Sequence, residues 1–376
     1  MKTTARVYFA PARSGTHRGL ADRFAGMLDA VGTDMIKKGD LVAVKTTFGE
    51  EGCTSFVRPL YLRKVVDWVK KSGGKPFLTD SCTLYHGMRS NGVDHLNLAV
   101  EHGFSYASLG APLVIADGIR SRDYVEVEVG LKHFKTVKFG SAAHYADCLV
   151  SVAHFKGHLA TGFGGTFKNL GMGLGSRSAK QTMHGVVRPE FKDESLCTGC
   201  GDCVKACATG AVRVASGKAR FDYSKCTGCA ECIAVCTRRA LRILWNESSR
   251  NLCEKMVETS YGVLQGKKGR AAFFNFVIDV TPDCDCLSWS DNPIVQDVGI
   301  LGSTDPVAVE QASFDMVNAR PSLPDSEIGQ SLGPGVDKFA AMRPDIDGSV
   351  QMEYAEKLGM GTRQYELVNL DEPGRK

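Results

Sequence analysis

Cys197-Thr198-Gly199-Cys200-Gly201-Asp202-Cys203-Val204-Lys205-Ala206-Cys207 is repeated in outline, after a short polar interval, by Cys226-Thr227-Gly228-Cys229-Ala230-Glu231-Cys232-Ile233-Ala234-Val235-Cys236. Each run has the spacing Cys-x-x-Cys-x-x-Cys-x-x-x-Cys, the pattern of [4Fe–4S] ligation, in which the fourth cysteine of a run serves the other cluster. The spacing predicts one cluster on Cys197, Cys200, Cys203 and Cys236 and a second on Cys226, Cys229, Cys232 and Cys207. Soft thiolates also take zinc or copper(I). Zinc sites, however, normally use two well-separated pairs rather than three cysteines at such close intervals. A disulfide framework belongs to short secreted chains, and here six of the 14 cysteines lie outside the runs, scattered except for Cys284 and Cys286.

Working outward, residues 190–245 resemble the bacterial two-cluster ferredoxins, an α+β module. The proline usual after the fourth cysteine is replaced by Ala208 and Thr237, a change in local turn rather than in ligation. The resemblance implies electron transfer and a redox partner protein, a low-potential electron carrier. The 376 residues are enough for two or three domains. A net charge of +4 offers no basic stripe for nucleic acid. No apolar run approaches the length that spans a membrane. Met1-Lys2-Thr3-Thr4-Ala5-Arg6 leads into no long apolar core, so no secretory signal is expected. A reducing cytoplasm, where thiols stay reduced, is the expected location.

Both flanks alternate short apolar strands with helical stretches, which predicts an α/β fold with a mainly parallel sheet flanked by helices. Strands are expected over residues 6–10, 40–46, 76–80, 112–116, 147–153 and 271–280, with a half-wet edge strand over 124–130 and a short extended piece from Gly299. Helices are expected over 18–31, 59–71, 91–102, 252–264 and 306–317. Beyond Arg320 the signals weaken to one short helix near residues 351–357. Neither flank makes a complete core alone. The expected organisation is one discontinuous α/β domain, residues 1–189 and 246–376, interrupted by a ferredoxin-type module over 190–245.

Ligands of open parallel sheets bind beyond the carboxyl ends of the strands. The polar residues predicted there are Lys45, Thr46 and Thr47, Asp80 and Ser81, His154, Lys156 and His158, Asp279, Asp283, Cys284, Asp285 and Cys286, and Asp297 and Asp305. A lysine closing a buried apolar strand needs a partner or a ligand. Wet strand ends are also ordinary loops, so the weight lies on the set rather than on any member. His86, with Tyr85 and Arg89, is expected near the same rim. The candidate catalytic residues are Lys45, Asp80, His154, Lys156, His158, Lys168, Cys284 and Cys286. Gly162, Gly164, Gly165, Lys168 and Asn169 form a candidate cradle for an anion, because glycines let backbone approach closely and a helix start offers free N–H groups. The alternative is tight packing of a glycine-rich segment on the sheet. His154, His158 and His184, with Cys284 and Cys286, raise an additional metal ion or small organic ligand, and the two thiols could equally be redox groups.

The flanks resemble the family catalogued as domain of unknown function 362, whose members often carry an inserted two-cluster ferredoxin. Val44-Lys45-Thr46, Thr79-Asp80-Ser81, His154-Phe155-Lys156-Gly157-His158, Gly164 to Gly171, Asp283-Cys284-Asp285-Cys286 and Ser303 to Ala308 carry the resemblance. It implies this architecture, an iron–sulfur cofactor and marked positions at Lys156, Lys168 and the Cys284/Cys286 pair, but no particular reaction. Two readings follow: an oxidoreductase relaying electrons through two [4Fe–4S] clusters to or from a small anionic substrate or metal at the strand ends, and a non-catalytic electron carrier or metallocentre-assembly partner whose α/β domain is a docking module.

Overall fold

The computed structural model describes residues 4–14, 18–32, 34–185 and 188–370. Half of the N-terminal stretch read for a signal (Met1 to Thr3) lies outside them. Eight strands form one central sheet: β1 (Ala5–Pro11), β2 (Leu41–Lys45), β3 (Lys75–Asp80), β4 (Leu113–Ile115), β5 (Cys148–His154), β6 (Ala271–Val277), β7 (Gly299–Ser303) and β8 (Tyr365–Asn369). Their spatial order is β8-β1-β7-β6-β5-β2-β3-β4. Every neighbouring pair is parallel except the two made by β7, which runs against both β1 and β6.

Side chains alternate faces along a strand, and the core divides accordingly. Ala43, Leu149, Phe273 and Val277 face one apolar layer, while Val42, Val44, Val150, Val152, Phe274 and Phe276 face another. The second layer is closed by α1 (Leu20–Gly32), through Phe24, Met27 and Leu28, and by α2 (Pro59–Lys71), through Leu62, Val65, Val66 and Val69. Pro59 starts α2 where a missing N–H costs nothing. The first layer is closed by α5 (Ser249–Leu264), α6 (Pro306–Asn318) and α7 (Val350–Lys357), using Met256, Val257, Val307, Ala308 and Met352. Two shorter helices, α3 (Gly92–Glu101) and α4 (Arg177–His184), position residues at the rim. The architecture is a mostly parallel sheet between helices.

Three expectations change in the structure. Residues 124–130 do not edge the main sheet: Tyr124–Glu128 pairs with Thr136–Gly140 in a separate hairpin. The weakly patterned tail supplies β8, which is legible only through its pairing with β1. The reversal of β7 removes Asp305 from the rim. It caps α6 instead, accepting from the N–H groups of Val307 and Ala308 at 2.9 Å, while Asp297, before β7, stays at the rim and accepts from the Asp279 N–H.

Candidate functional site

The parallel strands β2, β3, β5 and β6 release their carboxyl ends on one side of the sheet, and two linked clusters form there. In the first, the apolar run of β2 ends on Lys45, only 1% exposed, whose ammonium lies 3.1 Å from Asp80 at the end of β3. Asp80 also meets Arg89 and His95, each at 3.6 Å, and Arg89 pairs with Glu50 at 3.1 Å. Burial alone would raise the Asp80 carboxyl, but Lys45, His95 and Arg89 hold it below its ordinary value. Burial pushes His95 down to about 3, so the ring is neutral. Lys180 of α4 donates to Ser81 Oγ, Cys82 O and Gly175 O, and burial lowers it to about 8.

The second cluster grows from β5 and the loop after β6. Lys156 lies 3.0 Å from Asp285, and Lys168 Nζ donates to Cys284 Sγ at 2.9 Å. Burial would raise Asp285; Lys156, His154 and Lys168 outweigh it and hold the carboxyl well below the ordinary range. His158, Cys284 and Cys286 bring one ring nitrogen and two sulfurs within 4.8 Å of one another, and among the described residues they are the one group of three such donors this close. His154 is not part of it. Its Nε2 faces the carbonyls of Ile278 and Asp279, so it braces the loop after β6. His184, at the end of α4, packs edge-on against Trp245 and is pushed down to about 3 by burial, with the Lys168 ammonium acting in the same direction.

The expected anion cradle is occupied from within. The N–H of Thr166 donates at 2.7 Å to Glu310 of α6, and the N–H of Phe167 also reaches that carboxylate. A methyl group on Gly165 would collide with Glu310 and Phe155, and one on Gly164 with the Lys168 side chain. Gly162 takes φ 73° in the turn joining Lys156–His158 to Gly162–Gly164, a conformation that suits glycine. Asn169 serves Lys45 rather than a ligand: its Oδ1 accepts from the ammonium at 2.9 Å and its Nδ2 donates to Ser151 Oγ. The glycines therefore permit close packing, and an internal carboxylate takes the donors that the sequence offered to an anion.

Glu310 was hidden in an apolar helix, although a glutamate on the stripe of Val307 and Ala308 is a readable signal. Burial raises it to about 7, against the donors that favour its charge. A group with a raised folded pKa adds stability below its unfolded value of 4.5 that is lost as the pH climbs toward 7. Glu310→Gln is expected to flatten this dependence in denaturation measured from pH 5 to 8. Glu310→Ala strands two N–H groups and is expected to cost about 2–5 kcal/mol; an alanine variant as stable as its parent would refute the role.

Residues 190–245 contribute little to the two main layers and have their own small apolar core, including Val212, Ala219, Ile233, Leu241 and Ile243. Their eight cysteines divide between two cavities. One is lined by Cys207, Cys226, Cys229 and Cys232, the other by Cys197, Cys200, Cys203 and Cys236. Leu84, from the loop after β3, enters the small core, and Tyr85 packs against it. Tyr85 also donates to the Cys286 carbonyl at 2.7 Å and accepts from Arg89 at 3.0 Å. One residue thus touches both the cysteine-rich segment and the rim. Beside it, Arg177 of α4 forms an ion pair with Glu231, both side chains at most 3% exposed, and donates to the carbonyls of Thr83 and Ser90. Removing one partner of a buried pair strands the other charge. Arg177→Ala is expected to cost about 3–5 kcal/mol and to admit protease within residues 190–245 first; unchanged stability and cleavage would reject the clamp.

The fold and rim define an α/β protein with ionisable groups gathered at the carboxyl ends of a parallel sheet. The chain belongs to the family described as Domain of unknown function (DUF362), whose model matches residues 42–315. No curated protein matches it. Among solved structures it is similar to the lactate racemase apoprotein from Thermoanaerobacterium thermosaccharolyticum, at 14% identity and TM-score 0.33, over 73% of this chain and 51% of that one. It is also similar to a structural-genomics protein from Thermotoga maritima, at 11% identity and TM-score 0.38, over 71% of this chain and 52% of that one. The chain spans about half the length of both. Among the described residues no helix is long and apolar enough to cross a membrane.

Proposed function

We propose that this chain is an iron–sulfur electron-transfer oxidoreductase in which two [4Fe–4S] clusters, inserted into an α/β domain as a ferredoxin-type module, relay electrons between a low-potential carrier protein and a small anionic substrate at the rim. The observation that carries the reading is the division of the cysteines. Each cavity collects three cysteines of one run and the fourth of the other, as crossed ligation requires. Four thiolates on one zinc ion, each about 2.3 Å from it, would crowd within about 4 Å of each other. No three of these eight come within 4.8 Å, a spread that suits a larger inorganic core. Cys197, Cys200, Cys203 and Cys236 would hold one cluster, and Cys207, Cys226, Cys229 and Cys232 the other; bound there, the clusters supply one-electron transfer.

The division into residues 1–189 with 246–376, and 190–245, is supported by the cores: Val7, Leu149, Met256, Phe273 and Tyr354 share one layer, whereas the cysteine-rich segment packs mainly on itself. Of the candidate lysines Lys45, Lys156 and Lys168, the first two already face carboxylates, so among these three Lys168, which rests on the Cys284 sulfur, is the cation offered to an anionic substrate. Anaerobically prepared protein is tested for iron, acid-labile sulfide and the paramagnetic signals of two reduced clusters. Reduced protein is then mixed with small oxo-anions and carbonyl acids while cluster reoxidation is followed. Zinc in place of iron would end the cluster assignment. A Lys168→Ala protein that reoxidises at the parent rate would end the substrate role of Lys168.

A further inference from the structure

The group formed by His158, Cys284 and Cys286 has the outline of a metal site, but its surroundings oppose one. The backbone N–H groups of Ala160 and Thr161 both donate to His158 Nδ1 at 3.2 Å. The neutral ring therefore carries its proton on Nε2, so neither nitrogen has a lone pair to spare. The Lys168 ammonium rests directly on the Cys284 sulfur, where it repels a second cation, while burial, Cys286 and Asp285, to which the Cys284 thiol donates at 3.1 Å, hold that thiol well above its ordinary value. Among the described residues, Lys168 forms no ion pair with a carboxylate. What remains is a pair of thiols two residues apart, neither in a disulfide, with the Cys286 N–H donating to Cys284 Sγ at 3.3 Å. The hydrogen bond from Cys284 holds the Cys286 thiol down to about 6, and Lys168 and Arg89 pull in the same direction against burial. The pair thus carries thiolate charge near neutral pH. Tyr85 joins the Cys286 carbonyl to the core of the cysteine-rich segment.

We propose that Cys284 and Cys286 are a redox-active dithiol at the rim end of the electron path, closing to a disulfide on oxidation. This rests on the electron-transfer reading above. Reduction breaks the Cys284–Cys286 S–S bond. It consumes two electrons, supplied by the low-potential carrier through the module, and one proton from solvent. The products are one thiol and one thiolate, the thiolate charge held by Lys168. Oxidation forms the same bond and returns two electrons and one proton. Two one-electron centres beside one two-electron couple match in number, which gives the rim a use for both clusters.

Two measurements test this. In the first, the whole protein is equilibrated anaerobically in dithiothreitol redox buffers, alkylated and analysed by mass spectrometry. Cys284 and Cys286 are expected to lose alkylation together as the buffer is made oxidising, and to regain it together on return. This arm reads the thiols whether or not iron is bound. In the second, cluster-loaded protein is titrated with titanium(III) citrate, and the Cys284→Ser/Cys286→Ser protein is expected to take up about two fewer electrons than its parent. Lys168→Met, which keeps both thiols, is expected to shift the dithiol equilibrium about tenfold toward the disulfide, because the thiolate loses its ammonium. Independent alkylation of the two cysteines at every poise would overturn the proposal, as would equal electron uptake by parent and variant. A stoichiometric metal lost on replacing the pair would overturn it too. Absence of iron in the parent would instead sink the cluster reading and leave the thiol arm to decide for itself.

Discussion

On the proposed ligation, a chain carrying Cys207→Ala is expected to lose the cluster of the second cysteine run, about half of the iron, although Cys207 belongs to the first. The reason is spatial: Cys207 lines the cavity of Cys226, Cys229 and Cys232, while Cys236 lines that of Cys197, Cys200 and Cys203. The decisive comparison starts from a protein with Cys197, Cys200 and Cys203 all changed to alanine, which leaves one cluster. Crossed ligation requires that the remaining iron survive Cys236→Ala and vanish with Cys207→Ala. Uncrossed ligation requires the reverse. Iron analysis with the signal of the reduced cluster separates the two, and the reverse result would remove the main support for a two-cluster module.

Asp80→Ala is the second change with a large expected effect. Its carboxylate is the shared counter-charge of Lys45 and Arg89, faces the neutral His95 ring, and accepts from the Ser81 N–H at 2.9 Å. Without it, Lys45 ends a buried strand with only Thr46 O and Asn169 Oδ1 as acceptors. Stranding a buried charge in this way is expected to cost about 3–5 kcal/mol, a large share of a domain's stability. The pH dependence has a definite sign. The folded carboxyl lies below its ordinary 3.8, so its contribution is present above that value and lost as the pH falls through the folded pKa. Urea denaturation at neutral pH measures the cost. A loss below about 1 kcal/mol would mean that the cluster is solvated and the pairing worth little. Asp80→Asn, which keeps shape and some hydrogen bonds, should fall between parent and alanine.

Much of the site was readable because strand ends have a fixed relation to a parallel sheet. Lys45, Asp80, Lys156 and the Cys284/Cys286 loop could be placed on one rim from the order of strands and polar residues, and they do meet there, through Asp285 and the Glu50 N–H that donates to its carbonyl. The same argument placed Asp305 there wrongly, because strand direction is set by pairing and β7 runs backwards between β1 and β6. The anion cradle was inferred from glycines and a helix start. Glu310, more than 140 residues along the chain, takes its donors instead. Arg177, Glu231 and Lys180 had no local signal. The Arg177–Glu231 pair and the bond from Lys180 to Ser81 Oγ join residues 54 and 99 positions apart in sequence, and a lone basic residue on a helix looks like a solvated one.

Local patterns alone determined the alternation that makes a parallel sheet, the covering helices and the spacing of the two cysteine runs, because each depends on backbone geometry over a few residues. Tertiary structure alone decided which carboxylate faces which lysine, and that His158 rather than His154 stands with Cys284 and Cys286. Those choices depend on burial. A charge or thiol far from water is governed by whichever distant group the fold brings within reach, and no short stretch of sequence carries that distance.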